Sequence, residues 1–340
     1  MSQRLVLFAK IILTMDRPEP IEDGFVLIQD SRILQVGKRS DLYFTPSLRM
    51  LDLGDTILLP GLINAHCHLD FTLFKGKVKY KGGFREWLRQ MAVKSRATTT
   101  AEFRKSIQNG IKQSLAFGTT TLCDVASSWE SYPLLKKSPL RSFVFFEMID
   151  MAQASTEHYW KNFQQKLRSL LRQTPPTDTC GWGLSPHTPF TVSKELFQLI
   201  KRFLNHHRDI LTTIHVAESR EESLYFKSGF GPMADRIKFL NPSWTIPHST
   251  TPVQYLSQNG WMPKLNLGVH LNDVNHKDLK LLAKNRIAVV HCPGSHAFFR
   301  HKTFLYARMK KMKIPVCLGT DSLASNQSSQ KKQKTVEAIF

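Results

Sequence analysis

Apolar positions along the chain fall into two textures. From residue 4 to about 57, short apolar runs follow one another closely: Leu5-Val6-Leu7-Phe8, Ile11-Ile12-Leu13-Thr14, Gly24–Gln29 and Arg32–Gly37, the last two flanking Asp30-Ser31. Runs of this length bounded by polar turn residues predict strands, with Asp30-Ser31 turning a hairpin. A few short strands are not stable alone in water, so residues 1–57 are expected to form half of a small β-sandwich.

Beyond residue 58, apolar runs of strand length alternate with helix-length amphipathic segments. Ile57 to His68 reads as one strand interrupted at Pro60-Gly61. Further strands are expected at Gly118–Val125, Ser142–Met148 (counted as the fourth), Trp182–Ser185, Leu211–Val216, Leu265–His270, Ile287–His291 and Val316–Asp321. Helices are expected over Phe84–Lys94, Thr100–Phe117 with Thr100 as N-cap two residues before Glu102, Thr156–Gln173, and Ser193–His206 with Ser193 as N-cap. Strand and helix repeated about eight times is the pattern of a (β/α)8 TIM-type barrel. The expected organisation is a partial β-sandwich over 1–57, a barrel over 58–325 and an irregular basic tail over 326–340.

Composition narrows the classes. The 340 residues are 41% hydrophobic and 22% charged, enough to bury a large core and too apolar to stay disordered. The formal net charge of +20 would suit an acidic partner such as nucleic acid. The Lys and Arg residues are spread along the chain, however, with no long basic tract before the last few residues. A generally basic surface is therefore expected, and no nucleic-acid partner. Five Cys residues without paired spacing imply reduced thiols in a cytoplasmic protein. The apolar run from Leu5 to Met15 is broken by Lys10 and is too short to span a membrane.

Chemistry-bearing residues gather at the ends of the expected strands, where barrel active sites lie. Pro60–Asp70 ends a strand in His66 and His68, whose side chains share a face while Cys67 takes the other. His187 follows Leu184-Ser185-Pro186. His215 ends the next strand, with Glu218 three residues on, and His270, His291 and Asp321 end the last three. A lone His-x-His is a weak motif; six strand ends carrying His or Asp is a much stronger pattern. On a straight strand Glu218 would face away from His215, so it reaches the site only if the strand curls off at Val216–Ala217.

These stretches, PGLINAHCHLD at 60–70, LSPHTPFTVS at 184–193, IHVAES at 214–219, GVHL at 268–271, VVHCPGSHAFF at 289–299 and LGTDSLAS at 318–325, occur in an order that resembles the amidohydrolase superfamily. The resemblance is to the branch of S-adenosylhomocysteine, methylthioadenosine and aminodeoxyfutalosine deaminases, guanine deaminase and triazine chlorohydrolases. It implies that His66, His68, His215 and Asp321 ligate one divalent metal ion per chain, Zn2+ or Fe2+, a donor set suited to either. Glu218 would shuttle protons, and His270 would polarise the attacking water or hold a developing oxyanion. Asp321 would serve both as ligand and as base. His187, Glu86 and Trp87 would contact substrate, His291 and Ser295 would shape the barrel mouth, and Cys67 would be inert packing. His296 stands where many relatives carry Asn and receives no role. Relatives with two metals bridge them by a carboxylated lysine; Ser142–Met148 offers only Glu147 and Asp150 nearby, so one metal is expected.

The implied activity is a hydrolytic deaminase acting on an amino-substituted aromatic heterocycle, a 6-aminopurine nucleoside derivative. Guanine deamination or another amidohydrolase or chlorohydrolase activity is the alternative. Expected partners are a small-molecule substrate, with room for a homodimer, and no membrane. Relatives continue past the GTDSLASN stretch with a helix and strands that complete the sandwich, whereas here a basic tail follows. On that reading the C-terminal part is truncated, and an inactive remnant of such an enzyme is a further alternative.

Overall fold

The computed structural model describes residues 4–43, 48–246 and 248–326. Two compact units divide at Leu62 and Ile63. In the first, the apolar runs form β1 (Arg4–Ile12), β2 (Ile21–Gln29), β3 (Arg32–Lys38), β4 (Arg49–Asp52) and β5 (Ile57–Leu58). Their order is β3-β2-β1-β4, with β5 also on β1. The β2–β3 hairpin turns at Asp30, whose backbone is left-handed at φ 53°, a conformation Asp tolerates better than most residues. Val6, Phe8, Phe25 and Leu42 form one small apolar cluster, and Ala9, Ile12, Ile21 and Val26 another.

Pro60-Gly61 does more than interrupt a strand. Ile57–Leu58 pairs in parallel with β1 in the first sheet, and β6 (Leu62–Cys67) opens a separate eight-stranded sheet. The expected single strand from Ile57 to His68 is therefore two strands in two sheets. The eight-stranded sheet continues through β7 (Thr119–Ala126), β8 (Arg141–Met148), β9 (Cys180–Pro186), β10 (Leu211–Val216), β11 (Leu267–His270), β12 (Ala288–His291) and β13 (Val316–Leu318), in sequence order. A parallel bridge between Cys67 and Asp321 brings its first and last edges together. The result is a (β/α)8 barrel. In this order Ser142–Met148 lies in the third strand, not the fourth, since only β6 and β7 precede it in the eight-stranded sheet.

Helices α1 (Phe84–Ala97), α2 (Thr100–Ala116), α3 (Ser131–Lys136), α4 (Thr156–Gln173) and α5 (Lys194–His206) follow the first four strands. Then come α6 (Arg220–Ser228), α7 (Pro232–Leu240), α8 (Pro252–Gln258), α9 (His276–Lys284), α10 (Pro293–Phe298) and α11 (Tyr306–Lys311). The main core lies between strands and helices, with Leu122, Val144, Phe146, Leu184 and Ile214 packed among Ile107, Phe163, Leu196 and Leu279. The N-cap of α2 is Thr99, not Thr100. Its hydroxyl accepts the Glu102 N–H while the Glu102 carboxylate takes the Thr99 N–H at 2.8 Å. That reciprocal box needs a three-residue spacing, which only Thr99 has. The described helices include none long and apolar enough to cross a membrane. Apart from Asn326, the basic tail expected over 326–340 lies outside the described residues.

One contact carries the α2 packing toward the site. Gly110 sits where a Cβ would lie 2.7 Å from Thr72 Oγ1 and 2.8 Å from Leu69 Cδ2, on the segment just after His68. Gly110→Val is expected to destabilise the protein by about 1–3 kcal/mol, read as a lower urea midpoint.

Candidate metal centre and active site

At the C-terminal ends of the strands lies a cavity of about 300 Å³. His68 lines it just past the end of β6, and His66 is buried beside it with ring centroids 4.8 Å apart, while the intervening Cys67 packs into the main core with Leu69 and Ile107. Burial, then the charges of Asp124 and Cys123, push the Cys67 thiol up, so it stays protonated.

The histidine tautomers follow from their neighbours. His68 Nδ1 lies 2.9 Å from the Val125 carbonyl and His215 Nδ1 lies 3.0 Å from the His187 carbonyl. Carbonyls only accept, so each Nδ1 carries the hydrogen and each neutral ring turns a lone pair outward at Nε2. Those two Nε2 atoms stand 3.2 Å apart. Facing lone pairs repel, and a proton between them is disfavoured: burial, then His66, pulls His68 down to about 4. Burial, then His66 and His68, holds His215 well below its ordinary value. His66 Nε2 is buried with no hydrogen-bond partner and lies 3.6 Å from Asp321 Oδ1, while His68 Nε2 lies 3.7 Å from the same oxygen. Ligand atoms around a tetrahedral zinc are about 3.3–3.5 Å apart, given bonds of about 2.0–2.1 Å. The donor set therefore fits a divalent cation, which would satisfy the orphaned His66 nitrogen and relieve the opposed lone pairs.

Asp321 is aimed by its backbone, left-handed at φ 57° just beyond β13. Ser325 Oγ donates to its other oxygen at 3.0 Å. Burial pushes this carboxyl up, but the adjacent His66 ring, then the His270 and His68 rings, outweigh it and hold Asp321 well below the usual carboxylate range.

Glu218 comes to the cavity by the curl its position required. β10 ends at Val216, and Ala217 turns left-handed at φ 52°. The Glu222 carboxylate holds the bend, accepting the Ala217 N–H at 3.0 Å and the Glu218 N–H at 2.8 Å. Asn272 Nδ2 donates to the Glu218 carbonyl at 3.0 Å. Glu218 Oε2 then lies 3.5 Å from His270 Nε2. Burial, then the Asp321 charge, raises the Glu218 carboxyl well above its ordinary range. Burial takes His270 down to about 3 despite the opposing pull of Asp321. A carboxyl biased toward its protonated form thus faces a neutral imidazole.

His187 also lines the cavity, with Nδ1 2.8 Å from Thr191 Oγ1 and Nε2 4.0 Å from Glu147 Oε1. Glu147 is a wall residue to which the sequence reading gave no role, although it lies near the end of an apolar strand as the histidines do. The Ser127 hydroxyl donates to its second oxygen. Trp87 is a buried wall residue whose Nε1 has no partner. Glu86 is not brought to the cavity lining. Arg89 grips its carboxylate on the helix surface, with Nε–Oε2 and Nη2–Oε1 both 2.8 Å. His291 stacks on Phe304 at 3.9 Å between ring centroids, and His296 Nδ1 lies 3.0 Å from Asn272 Oδ1. Neither is among the residues lining the cavity.

A sequence profile of the amidohydrolase family matches residues 57–336. The 5-methylthioadenosine/S-adenosylhomocysteine deaminase of Carboxydothermus hydrogenoformans is 24% identical over 323 residues, covering 93% of this chain and 68% of the relative. Among solved structures, the Helicobacter pylori aminofutalosine deaminase in complex with methylthio-coformycin superposes with a TM-score of 0.82 at 23% identity, over 95% of this chain and 78% of that one. An adenosine deaminase from Xanthomonas campestris with bound zinc gives 0.73 at 20% identity, over 95% and 70%. At these identities the structural matches establish the fold.

The Glu222 clamp can be tested directly. Glutamine offers one acceptor oxygen where the carboxylate offers two, so Glu222→Gln leaves one of the Ala217 and Glu218 N–H groups unpaired. The expected cost is about 1–3 kcal/mol in a urea melt, with faster hydrogen exchange at those two amides.

Proposed function

Because this chain belongs to the amidohydrolase family, we propose that it is a metal-dependent aminohydrolase acting on a 6-aminopurine nucleoside derivative. Water replaces the exocyclic amino group at an aromatic carbon, leaving a carbonyl and releasing ammonia. The observation that supports the reading is a buried cluster in which His68 Nε2 stands 3.2 Å from His215 Nε2 and 3.7 Å from Asp321 Oδ1, His66 Nε2 lies 3.6 Å from the same oxygen, and Glu218 faces His270 at 3.5 Å. The substrate class is supported by the names of the relatives, a methylthioadenosine and S-adenosylhomocysteine deaminase and an aminofutalosine deaminase.

The ligands would be His66, His68, His215 and Asp321, holding one zinc ion. Three imidazoles and a carboxylate suit zinc, and a related fold carries it. A single ion is supported by the fourth barrel strand, Cys180–Pro186, which contains no lysine to bridge a second. When bound, the ion supplies Lewis acidity that brings a water's pKa toward about 7.

The rest falls to the chain's own groups. Glu218, biased toward its protonated form by burial, donates to the ring nitrogen beside the reacting carbon, then takes up the proton that the added hydroxyl gives up as the carbonyl forms and passes it to the departing amine. Asp321, kept ionised, accepts a proton from the attacking water. Neutral His270 offers a hydrogen bond to the developing oxygen without adding a charge. His187 and Trp87 orient the heterocycle from the wall.

Purified protein is expected to carry about one zinc per chain, read by elemental analysis, as a three-histidine, one-carboxylate site requires. His215→Ala should lose both the metal and ammonia release from 6-aminopurine nucleosides. Glu218→Gln should keep the metal while kcat falls about 10²–10⁴-fold. Zinc-loaded protein that releases no ammonia from such nucleosides would overturn the reading. Removing zinc with a chelator should lower Tm, since at a free concentration one hundred times Kd a bound ion adds about 2.7 kcal/mol of stability.

A further inference from the structure

Glu218 needs more than a bend to reach His270; the bend has to be held. Ala217 and Glu218 are both buried, and buried backbone groups have to be paired. The Glu222 carboxylate takes their two N–H groups. The Ala217 carbonyl accepts the backbone N–H of Asn272 at 2.9 Å and of Asp273 at 3.1 Å. The Glu218 carbonyl is met by a side chain instead, Asn272 Nδ2 at 3.0 Å. This last link is the vulnerable one, because a primary amide can turn over. Rotated by half a turn, Asn272 would present its own oxygen to the Glu218 carbonyl, and two acceptors repel.

The group that keeps this amide in register is His296. Asn272 Oδ1 lies 3.0 Å from His296 Nδ1. Since Asn272 Nδ2 is committed to a carbonyl, the atom facing the ring is the oxygen, so His296 Nδ1 carries the hydrogen and donates it. Turning the amide would break both bonds and set donor against donor. His296 is placed from α10, where its backbone N–H bonds to the Cys292 carbonyl at 2.9 Å and its own carbonyl takes the His301 N–H at 3.1 Å. Its ring sits beside His291 and His301, with centroids 5.1 and 5.4 Å away. Burial, then His296, pulls each of those two rings down to about 4, with Asp273 opposing at His301. Burial also lowers His296, against the pull of the Lys302 backbone. The neutral Nδ1–H tautomer and the imidazolium both donate from Nδ1, so titration of this ring does not cut the link.

We propose that His296 is a positioning residue for Glu218, acting through the Asn272 amide. The role rests on the deaminase reading above, in which Glu218 moves the protons. His296 is not among the residues lining the cavity, so its effect passes through the Glu218 main chain. That main chain sets the 3.5 Å approach of Glu218 Oε2 to His270 Nε2. Without the Nδ1 donor, a buried acceptor is left unpaired and the amide is free to turn. A displacement of the acid by about 1 Å is enough to cost roughly 10²-fold in rate.

Three substitutions separate this role from bulk packing. His296→Asn puts an uncharged N–H donor where Nδ1 stands. His296→Gln extends past that position and leaves Asn272 Oδ1 unpaired, and His296→Ala removes the ring. In zinc-loaded full-length protein, kcat for ammonia release from a 6-aminopurine nucleoside is expected to fall about 10–100-fold in the Ala and Gln variants, with KM and zinc content unchanged. In the Asn variant kcat should stay within about threefold of the parent. Hydrogen exchange, which needs no turnover, should quicken about tenfold or more at the Glu218, Asn272 and Asp273 amides in the Ala and Gln variants and hold in the Asn variant. In a double-mutant cycle, His296→Ala should add little to Asn272→Ala, because the link is already cut. Additive losses, an Asn variant no better than Gln, or loss of zinc together with activity would overturn the proposal. If the zinc-loaded parent releases no ammonia, the deaminase reading fails, and the exchange pattern still decides the link from His296 to Glu218.

Discussion

One carbonyl group closes this site. The His66 carbonyl accepts the N–H groups of both Thr320 and Asp321, at 2.9 and 3.1 Å, and so ties the first barrel strand to the chain just past the last. Asn64 reinforces the seam, its Oδ1 accepting from Thr320 N at 3.1 Å and its Nδ2 donating to Thr320 Oγ1 at 2.8 Å. The approach is close enough that a Cβ on Gly319 would meet His66 Cβ at 2.9 Å and Cys292 Sγ at 3.0 Å. Only glycine lets the two strands draw near enough for Asp321 to share a centre with His66 and His68. Without the seam, the histidines have no carboxylate and the barrel has an open edge.

The remaining groups are aimed by backbone bends. Ala217, His270, Leu271 and Asp321 are all left-handed without being glycine, each costing roughly 1–3 kcal/mol unless the surroundings enforce it. Here the bends enforce one another. Leu271 N–H donates to the Val216 carbonyl, and the Asn272 and Asp273 N–H groups both donate to the Ala217 carbonyl. The turn that delivers Glu218 and the turn that follows His270 are therefore one hydrogen-bonded unit, anchored at its side by Glu222. The acid and the imidazole that face each other across 3.5 Å owe their spacing to this shared backbone.

Much of this arrangement was legible because parallel strands deliver their last residues to a common rim. A polar residue at the end of an apolar run is visible in sequence, and the fold gathers His66, His68, His187, His215, His270 and Asp321 in that way. Glu218 was legible only as a condition, since a straight strand would have aimed it away; the left-handed Ala217 meets the condition. What sequence left hidden depends on which segments meet in space. The Ile57–Leu59 run looks continuous with the next strand, yet its hydrogen-bond partners lie on β1. Glu86 looked available to substrate until its neighbour Arg89, one helical turn on, was seen to hold it. Arg236 and Glu147 reach the cavity from elements whose juxtaposition no local period records.

The seam also sets a timetable. Asn64 and Thr320 are 256 positions apart, so at about 5–20 residues per second the ribosome makes His66 and His68 roughly 10–50 s before Asp321. Throughout that interval the nascent chain carries a histidine pair with no carboxylate beside it. A metal captured then would be held by an incomplete and mobile set. For the proposed ligand set, complete coordination would thus be a late event, coupled to the arrival of Thr320 and Asp321 at the first strand.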